Sequence, residues 1–92
     1  MPSVLLYYDD EVKKMYRRFR DLREDKDMTQ AQIAKILNCS QRAYSNYERG
    51  KVDISTKQLV ELAHFHGTSV DYLLELTDEK RPYPAKPKKK YI

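Results

Sequence analysis

Five polar side chains recur between residues 41 and 49 at a spacing that would place them on one side of an α-helix. With about 100° per residue, they span an arc of roughly 140° that contains no acidic residue. They are Gln41, Arg42, Ser45, Asn46 and Arg49, called here the polar strip. Arginine pairs with guanine, glutamine and asparagine pair with adenine, and serine pairs with either base. These side chains are therefore suited to hydrogen bonding with the edges of nucleic-acid bases.

The other side of the same helix can pack against the rest of the chain. Ala43, Tyr44 and Tyr47 lie between about 200° and 300° on the same helical wheel. Ser40 is suited to cap the start of this helix, and Gly50 to end it. The polar strip could be a solvated helix face, which is the simpler interpretation, or a surface that binds bases. The residues that precede it decide between these two interpretations.

A second helix ends only two residues before this start. It opens with a capping box at Thr29 and Gln32 and ends at Asn38, which tolerates the left-handed conformation of a helix C-terminus. Only Asn38 and Cys39 separate the two helices, and this gap is too short for them to fold back antiparallel. Helices that cross steeply through so short a turn form a helix-turn-helix, which we predict over residues 29–49. This context favours a binding surface over a solvated face.

Signals for three more short helices occupy the remaining sequence. Ser55 and Gln58 form a second capping box, and Ser69 is a further candidate cap. The expected limits of these helices are Asp9–Asp10 to Asp25–Asp27, Ser55 to Gly67, and Ser69 to Thr77–Asp78. The first has an apolar face of Val12, Met15, Tyr16, Phe19 and Leu22. Together the elements predict an all-α, compact five-helix domain over residues 9–78.

The positive charge of the chain is concentrated at one end. The 92 residues have a net charge of +4 and a pI near 9.2. Residues 79–92 hold six of the 18 basic and one of the 14 acidic residues, so residues 1–78 hold 12 and 13, a net charge of −1. We predict an apolar N-terminal segment (1–8), the helical domain (9–78) and a flexible Pro/Lys-rich tail (79–92) that either attracts phosphates or remains solvated.

Several classes of protein are excluded by what the sequence lacks. No apolar run approaches the roughly 20 residues of a membrane span, and the N-terminus lacks the basic start of a signal peptide. The single Cys39 cannot form an internal disulfide. We expect it to be buried, with redox sensing as a minor alternative. No phosphate-binding loop or catalytic arrangement is recognised. We therefore predict a cytoplasmic protein that is not an enzyme and needs no cofactor.

The two histidines also do not form a metal site. His64 and His66 are two residues apart on a helix and point about 200° away from each other, so they cannot share a metal as histidines four residues apart do. We expect His64 at the surface. His66 is expected to pack inside with its polar atoms satisfied.

The stretch Thr29–Lys51, TQAQIAKILNCSQRAYSNYERGK, resembles the Cro/lambda-repressor-like helix-turn-helix family, also called the xenobiotic-response-element family. Its landmarks are T-Q-x-x-I-A at 29–34, S-Q at 40–41, Y-E-R-G-K at 47–51, L-x-x-L-A at 59–63 and G-x-S-x-x-Y-L-L at 67–74. The five-helix pattern fits residues 17–76. Two positions depart from it, since Asn38 replaces a frequent glycine and Cys39 an aliphatic residue.

This resemblance implies roles for the matching positions. The residues implied to face bases are Gln41, Arg42, Ser45 and Asn46, and those implied to contact phosphates are Gln30, Ser40, Arg49 and Lys51. Arg23 and Glu48 match positions that form an ion pair in the family, which would join the first helix to the end of the third. The implied function is sequence-specific regulation of transcription on double-stranded DNA, most simply as a small repressor at the nucleoid.

One short helix recognises few base pairs, so we expect a homodimer with half-sites about 34 Å apart. Candidate dimer contacts are Leu73, Leu74 and Leu76, or the apolar segment Val4–Tyr8. The alternative function is an antitoxin-like or other protein-interaction module on the same fold, which binds a partner protein as well as DNA. The tail or the segment Val4–Tyr8 would then contact that partner.

Overall fold

The computed structural model describes residues 16–84, in which the chain forms five helices and no strand. They are α1 (Arg17–Asp25), α2 (Gln30–Ile36), α3 (Gln41–Glu48), α4 (Thr56–His66) and α5 (Val70–Leu73). The predicted all-α class is confirmed. The segment 1–8, the expected helix start at Asp9–Asp10 and residues 85–92 lie outside the described residues.

Four helices begin at a hydroxyl side chain, as the sequence predicts. The side chains of Thr29, Ser40, Ser55 and Ser69 each accept a hydrogen bond from the backbone N–H three residues later. At Thr29 the capping box is complete, because the Gln32 side chain accepts the Thr29 N–H at 2.8 Å. The second predicted capping box forms only by half. The Ser55 hydroxyl oxygen accepts the Gln58 N–H at 3.2 Å, but the Gln58 side chain bonds the Ser55 and Tyr47 hydroxyls and the Leu37 carbonyl instead of the Ser55 N–H.

Helix ends use left-handed residues at the predicted places. Asn38 has φ 57°, and Gly50 and Gly67 have φ 70° and 64°. After α2, the Cys39 N–H bonds the carbonyl of Ala34 at 2.9 Å, which closes the turn into α3. Asparagine adopts this conformation more readily than other non-glycine residues because its short polar side chain can hydrogen-bond locally.

The fifth helix is shorter than the sequence predicts. It ends at Leu73 instead of near Thr77–Asp78, and Glu75 follows with φ 59°. Two interactions explain the early end. The Leu76 N–H bonds back to the Asp71 carbonyl at 2.9 Å, and the Arg18 guanidinium donates to the carbonyls of Tyr72 and Thr77 at 2.7 and 2.6 Å. These bonds satisfy carbonyls that a longer helix would otherwise use.

The core joins all five helices, and at α1 the ring of its N-cap residue Tyr16 meets that of Phe19 edge to face at 5.1 Å. Its buried members are Tyr16, Phe19, Leu22, Ile33, Ala34, Leu37, Tyr44, Leu62, Ala63 and Leu73. Cys39 packs at its edge and is half-buried, so the prediction of a buried thiol is corrected. Burial raises the pKa of this thiol.

His66 departs from the sequence interpretation. It is buried as predicted, but neither ring nitrogen has a hydrogen-bond partner among residues 16–84. The expected satisfaction of its polar atoms is therefore corrected. Burial, followed by the positive charges of Lys26 and Lys80, lowers its pKa to about 4. His64 lies at the surface, as predicted.

Residues 79–84, called here the C-terminal strap, lie against α4 and α5. The Thr68 hydroxyl donates to the Lys80 carbonyl at 2.6 Å, and the Tyr83 hydroxyl donates to the Asp71 carboxylate at 2.5 Å. The first six residues of the predicted tail are thus attached to the helical domain by side-chain hydrogen bonds.

Candidate nucleic-acid interface

The polar strip lines one open groove on the surface of the domain. All five of its members contribute to the groove, together with three residues from outside α3. These three are Gln30, Lys51 and Val52. Gln41, Arg42 and Arg49 are exposed, whereas Ser45 and Asn46 are half-buried on the same side of the helix. The structure therefore brings together all four candidate base-reading residues and three of the four candidate phosphate-binding residues.

Ser40 is the fourth candidate phosphate-binding residue, and its side chain has another task. Its hydroxyl oxygen accepts the Ala43 N–H at 3.0 Å and so caps the start of α3. It lies in a neighbouring depression next to Gln41. A hydroxyl in this arrangement can still donate its own hydrogen to an anion.

The packed side of α3 explains why the strip remains open. Tyr44 is fully buried in the core, and the Tyr47 hydroxyl donates to the Gln58 side chain of α4 at 3.1 Å. Both tyrosines extend from the side of α3 that faces the core. With that side committed to the core, the strip faces away from the protein.

The groove carries positive charge without a carboxylate in its lining. Arg42, Arg49 and Lys51 contribute three cations, and the other lining residues are uncharged. Cationic side chains that neutralise phosphates supply most of the sequence-independent affinity of proteins for DNA. Although residues 1–78 have a net charge of −1, the local charge of the groove therefore suits a polyanion.

The acid nearest the strip in the sequence is neutralised inside the protein. Glu48 receives two hydrogen bonds from the Arg23 guanidinium, from Nε at 2.6 Å and from Nη2 at 3.2 Å. The side chains of Arg23 and Glu48 are only 13% and 4% exposed. Arg23 Nη1 also donates to the Met28 carbonyl at 2.9 Å, so this one residue joins α1, the loop after it and α3.

The charge states of this pair follow from opposing effects. Burial alone would raise the pKa of Glu48, but hydrogen bonds, above all from Arg23, lower it below its usual value. The hydrogen bond to Glu48 likewise raises the pKa of Arg23. The neighbouring Tyr44 hydroxyl has no hydrogen-bond partner of good geometry among the described residues. Burial, and then the Glu48 carboxylate, raises its pKa.

Gln30 connects this ion pair to the groove. Its Nε2 donates to Glu48 Oε1 at 3.1 Å, while the half-buried residue also lines the groove at the first position of α2. The bond to Glu48 holds the Gln30 amide in one orientation. A phosphate contact from this residue would therefore come from a side chain that is already fixed.

Sequence reasoning missed three residues that shape this part of the molecule. Val52 is 50% exposed within the otherwise polar groove, and its position directly after Lys51 was the available signal. Gln58 bonds to α3 and the end of α2, although the sequence indicates only a capping role. Arg18 fixes the end of α5 through contacts that no local pattern reveals.

The candidate dimer contacts differ in their availability. Leu73 is fully buried among the core residues of its own chain, so it cannot contact a second subunit in this conformation and is corrected to a core residue. Leu74 is half-buried against the core, and Leu76 is 68% exposed. Of the three leucines, Leu76 alone offers substantial free surface.

Two further observations concern residues 16–84 alone. No helix in this part of the chain combines the length and apolar character needed to cross a bilayer. The same residues contain no group of three or more histidine, cysteine, aspartate or glutamate side chains that could hold a metal ion.

A family model described as helix-turn-helix matches residues 19–73, which include α2, the two-residue turn and α3. This chain belongs to the Cro/lambda-repressor-like helix-turn-helix family. It is 35% identical over 66 residues to the HTH-type transcriptional regulator YobD of Bacillus subtilis (strain 168). That match covers 72% of this chain and 59% of the relative, so the chain spans less than two thirds of the relative's length.

Two solved structures show the same helix-turn-helix family fold. The P22 c2 repressor protein, in complex with synthetic operator 9T, is 31% identical with a TM-score of 0.62, and the match covers 66% of this chain and 92% of the repressor. The clp gene regulator ClgR of C. glutamicum is 28% identical with a TM-score of 0.61, covering 71% of this chain and 84% of the regulator.

Proposed function

We propose that this protein is a sequence-specific DNA-binding regulator of transcription, most simply a repressor, that inserts α3 into the major groove. The observation that carries the proposal is the groove in which base-reading side chains and three cations stand together without a carboxylate. An α-helix fits the major groove, where each base pair presents a distinct pattern of donors and acceptors. The solved P22 c2 repressor, which shares the fold, is bound to an operator.

The groove residues divide into two roles in this proposal. Gln41 and Arg42 lie in the first turn of α3, the part of a recognition helix that meets the base edges. Ser45 and Asn46 follow one turn later. Gln30, Ser40, Arg49 and Lys51 would hold the phosphates on either side and fix the register of the helix.

A homodimer on two half-sites is the assembly that suits so short a reading helix. Two copies would place their α3 helices about 34 Å apart, one turn of DNA. Leu76 is the exposed leucine that remains as a candidate contact, together with the N-terminal segment 1–8.

Such a protein would act in the cytoplasm at the nucleoid and would not be an enzyme. The named relatives are a transcriptional regulator, a repressor and a gene regulator, so they do not favour a toxin-binding role.

The proposal is tested by selecting bound sequences from a randomised double-stranded DNA library. We expect one enriched motif, made of two half-sites if the protein binds as a dimer. Failure to enrich any motif from a folded protein would contradict sequence-specific recognition.

Substitution of one strip residue then tests the assignment of α3. Arg42→Ala should cost about 1–3 kcal/mol at the selected site and relax base preference at one position. Arg20→Ala is a matched control, because Arg20 is also an exposed arginine and lies on α1 outside the groove. An equal loss of affinity for all sequences would show that Arg42 contacts only phosphate.

A further inference from the structure

One side chain of α4 contacts both helices of the helix-turn-helix and the start of its own helix. The Gln58 Oε1 atom accepts a hydrogen bond from the Tyr47 hydroxyl of α3 at 3.1 Å and from the Ser55 hydroxyl at 3.1 Å. Its Nε2 atom donates to the Leu37 carbonyl at 3.3 Å. Leu37 is the C-cap of α2, so the amide touches the end of α2, the packed side of α3 and the start of α4.

The chemistry of the amide suits this position closely. The Leu37 carbonyl is one of the groups that a helix end leaves without an intrahelical partner, and it needs a donor. The Tyr47 hydroxyl needs an acceptor. The Gln58 amide carries both a donor and an acceptor and can serve both groups, whereas a carboxylate or an ammonium group can serve only one. Gln58 itself is half-buried, which protects the bonds from competing water.

Tyr47 connects Gln58 to α3, the helix that carries the polar strip. It lies on α3 between Asn46 and Glu48, and its ring faces the core while the strip faces outward. The hydrogen bond at the tip of this side chain ties α3 to α4 at a distance from the helix axis, so rotation of α3 about its axis would stretch it. Base readout requires donor–acceptor distances within a few tenths of an ångström, so a small rotation of α3 would weaken it.

We propose that Gln58 is a positioning residue for base recognition, which acts through Tyr47 to fix the rotation of α3 relative to α2 and α4. This inference rests on the proposed DNA-binding function. It assigns to Gln58 an effect on discrimination between sequences. Non-specific attraction to phosphates depends on charge and does not require a fixed helix rotation.

The test uses three variants of the full chain and one control. Gln58→Met keeps the length of the side chain and removes both polar groups. Tyr47→Phe removes only the hydroxyl, and Gln58→Glu keeps an acceptor for Tyr47 but loses the donor to Leu37. Gln32→Met is the matched control, because Gln32 holds the same position after a helix cap and bonds to its own cap residue instead of α3.

Affinities are measured for the selected site and for a scrambled duplex of equal length at several salt concentrations. Circular dichroism at the same temperature confirms that each variant is folded. We expect Gln58→Met and Tyr47→Phe each to reduce the ratio of specific to non-specific affinity about tenfold. Non-specific affinity and its salt slope should stay unchanged. The double variant should be no worse than either single variant, and Gln58→Glu should be intermediate.

The outcomes separate this inference from the function on which it rests. An unchanged affinity ratio in both Gln58→Met and Tyr47→Phe overturns the inference, as does an equal loss in Gln32→Met. If Gln58→Met does not fold, Tyr47→Phe still decides, because it removes a single oxygen. A wild-type protein that discriminates no sequence contradicts the proposed function. One that discriminates equally well after the substitutions contradicts only the role of Gln58.

Discussion

At the scale of residues, Arg23 and Glu48 form the most buried ion pair among residues 16–84. Glu48 is the only acid within α3, and an unpaired carboxylate at that point would oppose the phosphates of DNA. Arg23 removes this conflict by holding Glu48 inside the protein through a two-point contact. Planar guanidinium and carboxylate groups match in geometry, so the pair fixes direction as well as charge.

Removing one member of this pair should destabilise the fold strongly. Glu48→Gln leaves the nearly buried Arg23 without its counter-charge, and we expect a loss of about 3 kcal/mol in the free energy of unfolding. A double-mutant cycle with Arg23→Met, followed by urea denaturation, measures the coupling. The double variant should lose less stability than the sum of the single variants. Additive losses would show that the two charges act independently.

The lowered pKa of Glu48 also sets the sign of a pH effect. The folded state favours the ionised form of Glu48 more than the unfolded state does. The stability that this carboxylate contributes is therefore fully present above the usual carboxylate pKa. It declines as the pH falls through the lowered folded pKa.

His66 should produce a separate loss of stability as the pH falls below about 6.5, a window above that of Glu48. Its folded pKa is about 4, against an ordinary value of 6.5, so the unfolded chain binds more protons between these two values. The contribution of neutral His66 to the free energy of unfolding is therefore fully present above pH 6.5. It falls by about 3 kcal/mol in total as the pH drops towards 4. Urea denaturation between pH 7 and pH 5 measures this slope before carboxylates titrate.

His66→Leu fills the same site without a titrating group. It should flatten the profile in this window. A slope that persists in His66→Leu would assign the effect to another group.

At the scale of elements, the turn between α2 and α3 has one demanding position. Asn38 is exposed and left-handed, with φ 57°. Asn38→Ala should destabilise the protein by about 1 kcal/mol, because the alanine side chain clashes with its own backbone in this conformation. Asn38→Gly should be neutral or stabilising, since glycine adopts positive φ without this clash. Thermal or urea denaturation of both variants compares them directly, and equal destabilisation would show that the asparagine side chain itself stabilises the turn.

The starts of the helices were predictable from the sequence, and one helix end was not. Thr29, Ser40, Ser55 and Ser69 act on N–H groups three residues away, so a local pattern contains the whole interaction. The end of α5 depends on Arg18, which lies more than 50 residues earlier in the chain. Such a partner appears only when the fold is known.

The candidate site shows the same distinction. The polar strip was visible because helical periodicity alone places its members on one side. The ring nitrogens of His66, which lack partners among residues 16–84, and the second role of Gln58 depend on which atoms other elements bring close. The local pattern predicts that Gln58 caps its own helix. Its side chain also bonds Tyr47 and Leu37, which lie far from it in the sequence. The half-burial of Cys39 likewise depends on how the core residues pack around the turn between α2 and α3.

For the whole molecule, the division of charge makes the tail testable by itself. Residues 85–92 contain four lysines and no acid, whereas residues 79–84 belong to the strap. Deleting residues 85–92 should reduce the salt dependence of DNA binding by about one unit for each phosphate that the tail neutralises. The preferred sequence should stay the same.

A variant of full length with Lys86, Lys88, Lys89 and Lys90 replaced by Gln is the control for chain length. It should behave like the deletion if charge is responsible. An unaltered salt slope in both proteins would assign the tail to a solvated role.

The contacts of Arg18 determine where this domain can be cut for transplantation into another protein. The guanidinium stacks 3.9 Å above the Tyr72 ring and also bonds to Asp78 at 3.0 Å. Arg18 precedes the matched residues 19–73, and Thr77 and Asp78 follow them. A module trimmed to the shared family boundaries would therefore lack both halves of this junction and leave the Tyr72 carbonyl uncapped. A fusion that keeps residues 16–84 retains the junction and the strap, and so carries α3 on an intact support.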